Sequence, residues 1–168
     1  YDVQATTLAG FSQRNWALSD RWQITGGLRL EETRYDYRNL TDPGPACAPT
    51  ANACRFFRPA SREDSFTDWT GNFALSYLMD HATVFARAAR GFRAPQTTEL
   101  YRLQSGQVTA DLDSETIDSI EFGVRGQQGA FAYDLAAYWM TKENVIFQDR
   151  DRYNVSGADT LHRGIDVT

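Results

Sequence analysis

Residues 22–31, WQITGGLRLE, change character at every step. In an extended chain Trp22, Ile24, Gly26, Leu28 and Leu30 share one face, and Gln23, Thr25, Gly27, Arg29 and Glu31 share the other. This period of two constrains the fold more than any other feature, because it recurs nearly throughout the chain. Trp69, Gly71, Phe73, Leu75, Tyr77 and Met79 stand opposite Thr70, Asn72, Ala74 and Ser76. Val84, Ala86 and Ala88 stand opposite Phe85, Arg87 and Ala89, and Ile120, Phe122 and Val124 opposite Ser119, Glu121, Gly123 and Arg125. Phe131, Tyr133, Leu135, Ala137 and Trp139 alternate with Ala132, Asp134, Ala136, Tyr138, Met140 and Lys142, and Ile165 with Val167 begins a further stripe. Residues 5–18 fit less well: Leu8 and Phe11 have opposite parity, so a bulge or a different phase is expected there.

The connections sort the strands. SDR (19–21), DHA (80–82) and QQGA (127–130) are tight turns, whereas 38–64 and 92–114 are long, polar, Pro- and Gly-bearing loops and 149–159 is intermediate. Short turns at one end and long loops at the other describe an antiparallel up-and-down meander of about seven strands. Five alternate apolar positions cover about nine residues, close to the ~9–11 of a strand that crosses a bilayer. The expected fold is therefore all-β, a segment of a transmembrane β-barrel, with its polar face turned to a wet lumen and outer-membrane lipid on the other side. Trp16, Trp22, Tyr77, Met79 and Phe131 lie near the tight turns, where one interfacial girdle would run.

Composition excludes several classes. A net charge of -5 argues against a nucleic-acid partner. The mean hydropathy of -0.52 reads as soluble, but lipid-facing and lumen-facing residues cancel in a barrel, and the 13% aromatic content suits one. The chain opens on YDVQATT and stops at GIDVT, as a piece of something larger would. Cys47 and Cys54 flank six residues of loop, with no histidine nearby to complete a metal site. A local disulfide in an oxidising compartment is expected, worth roughly 2–3 kcal/mol by chain entropy.

Several motifs, in order, carry a family resemblance. RGFRAPQTTELY (90–101), LDSETIDSIEFGVRG (112–126), AYWMTKENVI (137–146) and YNVSGADTLHRGIDV (153–167) resemble the barrel of TonB-dependent outer-membrane receptors, as does WALSDRWQITGGLRLE (16–31). Two departures stand out: Asp113 and Ser114 where the family often has Lys-Pro, and EFG in place of ELG at 121–123. The resemblance implies a 22-stranded barrel with an N-terminal plug domain in the bacterial outer membrane. It also implies energised import of a scarce nutrient, most often a ferric siderophore. The whole chain, 1–168, would then be a partial barrel domain that contacts its own plug domain and reaches TonB only through the N-terminal part of the receptor outside this stretch.

Two readings of the RGFRAPQTTELY stretch stay open. It is either a joint between strand and loop, with Arg90 and Arg93 paired to carboxylates such as Glu99 or Glu115, or part of a site where Arg90, Arg93, Tyr101 and Arg102 meet an anionic ferric chelate. Arg29, Glu31, Arg87, Glu121, Arg125, Asp134 and Lys142 are expected to face the lumen as cross-strand pairs and plug contacts, with a ligand path as the alternative. No metal site is expected. QDRDRYN (148–154) sets arginines among its carboxylates, and His81 and His162 lack ligand spacing. No cofactor and no catalytic group are expected either, since no nucleophile elbow or phosphate loop occurs. A passive porin-like or adhesin barrel, or an outer-membrane barrel enzyme, are the alternatives to a receptor.

Overall fold

The computed structural model describes residues 1–48, 50–51 and 53–168. Seven long strands form one antiparallel sheet: β1 (Asp2–Ala17), β2 (Trp22–Arg38), β5 (Arg62–Leu78), β6 (Ala82–Arg93), β8 (Glu115–Gln128), β9 (Phe131–Gln148) and β10 (Asn154–Val167). Their order in space is their order in sequence, the meander that the alternating turn lengths imply. A small second sheet joins β3 (Gly44–Pro45), β4 (Phe56–Arg58) and β7 (Leu103–Gln104), bringing the two long loops together. The main sheet is open, with β1 and β10 at its edges.

Register keeps like with like. Leu28 lies opposite Gly71, Phe73 opposite Gly26 and Ala88, and Ile120 opposite Ala88 and Trp139, so the apolar residues of neighbouring strands make one continuous outward face. That face has nothing of the protein over it: Leu28 and Ile120 are 51% exposed and Phe122 is 61% exposed. From Trp22 to Leu30 the apolar stripe is about 27 Å long along the strand. Above Leu30 the outward positions become Glu32, Arg34 and Asp36, with Arg34 paired to Glu32 at 2.8 Å and Arg38 to Asp36 at 2.9 Å. The strands therefore continue well past the apolar band. At the tight-turn end Trp22 and Tyr77 pack ring to ring, with centroids 4.8 Å apart. Gly129 turns the chain from β8 into β9 with a φ of +63°, a conformation that a side chain would strain.

Three expectations change. β1 pairs with β2 in unbroken register and needs no bulge: Leu8 points outward beside Glu32, and Phe11 points inward beside Arg29. The connection before β10 is shorter than the sequence implies, since the strand starts at Asn154. Residues 155–160 belong to that strand and carry the register shifts, with Gly157 at a φ of +122°. A helix, α1 (Thr97–Tyr101), sits inside the 92–114 loop, where no helical run is expected from sequence. Five residues are too few for a 3.6-residue period to register. The backbone N–H of Gln96 donates to Glu99 Oε2 at 2.7 Å and fixes the first turn.

The core is at the long-loop end. β5 and β6 part above Gly71 and Arg90, and residues 94–114 fold across the opening against the inward face of β2 and β5. Leu100, Tyr101, Leu103, Ala110 and Leu112 bury themselves there with Tyr37, and Tyr35, Phe57, Phe66 and Ile146 pack around them.

Candidate functional site

Parity decides where each candidate side chain goes. Arg90 and Arg93 are three residues apart on β6, so they leave opposite faces of the strand. Arg93 points inward. Its guanidinium donates to Glu99 at 3.0 and 3.1 Å and, through Nε, to Glu115 Oε2 at 2.7 Å. Lys142 Nζ reaches the same Glu115 oxygen at 2.9 Å, and the Ile146 N–H donates to its other oxygen at 2.8 Å. The bonds from Arg93 dominate and hold the Glu115 carboxyl down at about 2, despite a burial that opposes ionisation. The same bonds to Glu115 and Glu99 raise the Arg93 pKa above its usual value. The expected pairing of Arg93 to Glu99 or Glu115 is thus realised with both at once.

Tyr101 is 5% exposed. Its ring stacks on Tyr37 with centroids 4.4 Å apart, and its hydroxyl donates to Asp64 Oδ2 at 2.7 Å. Burial first, and then the bond to Asp64, push the phenol well above its ordinary pKa. Arg62 pairs with Asp64 and also binds Thr109, and Ser114 Oγ donates to Asp68 Oδ2 at 2.6 Å. Arg93 and Tyr101 thereby make their polar contacts inside the joint between strand and loop.

Arg90 finds a different carboxylate. It pairs with neither Glu99 nor Glu115; it lies on the outward face, donating through Nη1 to Asp118 Oδ2 at 2.9 Å with its guanidinium 4.9 Å from the Trp69 ring. Arg102 stays exposed at the mouth, 4.5 Å from the ring of Phe56, and Arg55 lies 5.1 Å from the same ring. Neither makes an ion pair among the described residues. With Thr98, Glu99, Gln104, Gln148 and Asn154 they line a cavity of about 290 Å³. Arg55 and Phe56 carry no pattern in the sequence; they reach Arg102 only because β4 pairs with β7, a contact between two loops. Cys47 and Cys54 are joined as a disulfide at the base of that loop, with Cα atoms 5.7 Å apart.

The seven charges expected on the lumen side all share the inward face, but few pair across strands. Arg29 binds Glu31 on its own strand, and Lys142 binds Glu115 across to β8. Arg87 stands opposite Glu121 and Arg125 opposite Asp134, yet neither pair closes into an ion pair among the described residues. Arg125 lies over Phe85 instead, 5.6 Å from its ring. These four, with Thr25 and Asp166, line an inward hollow of about 730 Å³ whose polar groups are open to whatever fills the lumen. No group of carboxylate, histidine or cysteine side chains suited to a metal occurs among the described residues.

Residues 1–168 match the family model described as TonB dependent receptor-like, beta-barrel. Solved structures share the fold. The copper transporter OprC superposes with a TM-score of 0.76 at 18% identity, over 99% of this chain and 26% of that one. The ferric yersiniabactin uptake receptor FyuA from Yersinia pestis gives 0.70 at 19%, over 98% and 24%. The Serratia marcescens hemophore receptor HasR, solved as a double mutant with its hemophore HasA and heme, gives 0.70 at 15%, over 97% and 31%. The chain thus spans about a quarter to a third of these proteins' length.

Proposed function

The chain belongs to the TonB-dependent receptor-like β-barrel family, and from that premise we propose that it forms part of the wall and mouth of an outer-membrane importer driven through TonB, whose cargo is an anionic ferric chelate. The observation that carries this reading is the opposition of the two sheet faces. The outward face is apolar from Trp22 to Leu30, and the inward face holds Arg87, Glu121, Arg125 and Asp134 without partners. A one-sided charged lumen of this kind suits a barrel filled by a folded plug domain, which meets those charges in place of water.

Cargo chemistry is supported by the mouth. Two guanidiniums beside one phenyl ring, with three amide side chains around them and the Glu99 carboxylate already taken by Arg93, offer flat, delocalised donors to an anionic group. The structurally similar receptors are named for a copper, a ferric chelate and a heme cargo, which share a bound metal. The solved structures that share the fold are named as transporters and receptors, and the reading is of a transporter rather than an enzyme.

The test is uptake of labelled ferric chelates by the full-length receptor in iron-starved cells, with and without functional TonB. Uptake is expected to require TonB, and Arg55→Ala with Arg102→Ala is expected to weaken chelate binding by about tenfold or more, the scale of one lost charge-assisted contact. Uptake that continues without TonB would move the function to a passive pore.

A further inference from the structure

Three amide side chains line the cavity at the mouth beside its two arginines, and their hydrogen bonds are not alike. Both ends of the Asn154 amide are engaged. Its Nδ2 donates to the backbone carbonyl of Glu99 at 2.8 Å. A carbonyl oxygen only accepts, so the amide is fixed in this orientation. Its Oδ1 accepts from Gln148 Nε2 at 3.2 Å. Gln107 holds the backbone of the same residue, donating to the Asn154 carbonyl at 2.9 Å and accepting from its N–H at 3.1 Å. Gln148 is therefore half engaged. It ends β9 opposite Asn154, is exposed, and gives its Nε2 to that residue. Its Oε1 meets no donor among the described residues and stands as a fixed acceptor in the cavity wall.

Gln104 is freer still. It stands opposite Phe56 where β7 pairs with β4, so its side chain shares a face with the ring that Arg55 and Arg102 flank. Leu103 and Phe57, the neighbouring pair, turn the other way into the mouth core. Gln104 is 8% exposed, yet its amide makes no hydrogen bond among the described residues. An amide so deeply placed needs a donor for its oxygen and an acceptor for its nitrogen, and leaving both unmet costs stability. The Glu99 carboxylate on the same cavity is occupied by Arg93 and by the Gln96 N–H.

We propose that Gln104 and Gln148 determine which cargo the cavity accepts: an anionic chelate with an arm that carries an amide N–H beside its acid groups, in preference to one that presents acceptors alone. The inference rests on the cargo reading above and names a part of the ligand which that reading leaves open. Arg55 and Arg102 attract any anion. The glutamines add a requirement that charge does not, an acceptor at Gln148 and a donor with an acceptor at Gln104. A site built this way rejects a ligand without donors, because binding then strips water from its own polar groups and leaves them unpaired.

The experiment titrates the purified full-length receptor in detergent with two ferric chelates of equal charge, followed by calorimetry. One is a hydroxycarboxylate chelate bearing a terminal primary carboxamide; the other is the same chelate with that amide dimethylated. The wild type is expected to prefer the N–H form by about tenfold or more. Gln104→Leu, which keeps the side chain's bulk, and Gln148→Leu, at an exposed position, should each bring that ratio toward one. A preference that survives in both variants would be steric and would overturn the proposal. Equal affinities in the wild type would overturn it too. If those equal affinities both fall in Arg55→Ala with Arg102→Ala, the cargo reading stands and only the donor requirement is lost. Binding of neither chelate would bring down the cargo reading and this inference with it.

Discussion

Tyr37 and Leu28 lie nine residues apart on β2, and their surroundings are opposite. Tyr37 is 1% exposed, stacked on Tyr101 beneath a folded loop; Leu28 is 51% exposed on a face that none of the described residues covers. The mouth of this sheet is a small globular core in its own right, with buried side chains, ion pairs and a helix. The wall has hydrogen-bonded strands but no core, and its apolar side chains need lipid as their partner. One strand thus runs through two solvents, and a substitution should report on whichever solvent it meets.

The sharpest way to break this comparison is Leu100→Ala. Leu100 is 1% exposed in the mouth core, and truncating such a residue costs about 2–5 kcal/mol. Hydrogen exchange on the full-length receptor should speed up across 94–114 and leave the lower rows of β8 and β9 protected. Loss of protection spread evenly down the strands would mean that mouth and wall form one cooperative unit, and the distinction would fall.

On the wall the informative pair is Leu28→Arg against Thr25→Arg. Leu28 faces outward and Thr25 inward, where its hydroxyl donates across to Asn15 Oδ1 at 2.8 Å. An arginine on the lipid face costs about 2–4 kcal/mol near the midplane and far less on the lumen face. Folding into lipid vesicles, followed by urea titration, should therefore separate the two by most of that amount. Equal costs, or the reverse order, would assign the faces the other way round.

How much of this could be read from the sequence follows the same divide. The outward stripe from Trp22 to Leu30 was legible because strand parity is local: each side chain's face follows from its neighbour's. Parity also places the lumen-side charges on the inward face, but it gives no partners, so it does not show that Arg87 and Glu121 stay open. Arg90 pairs with a carboxylate, as one reading has it, but with Asp118 on the outward face, because the motif's two arginines sit an odd number of residues apart. Helix α1 and the Arg55, Phe56 and Arg102 cluster were illegible for another reason. Both are fixed by contacts between loops far apart in sequence, and no period runs through a loop.

The smallest expected effect sharpens the comparison through pH. Glu115 joins mouth to wall, since it opens β8 while binding Arg93, Lys142 and the Ile146 N–H. Its folded pKa, lowered to about 2 chiefly by Arg93, lies below the ~4.3 of a free glutamate. A depressed carboxyl stabilises the fold above its unfolded pKa and loses that contribution as pH falls toward the folded one. The contribution should be complete above about pH 4.5 and fade toward pH 2, with a ceiling of about 3 kcal/mol set by the shift itself. Glu115→Gln removes the charge, so the gap in thermal midpoint between wild type and variant should be widest at neutral pH and close as the solution is acidified through that window. A gap that stays constant with pH would mean that Glu115 supports the joint through its shape and its bond to Ile146, and that the ion pairs with Arg93 and Lys142 contribute little to holding the mouth onto the wall.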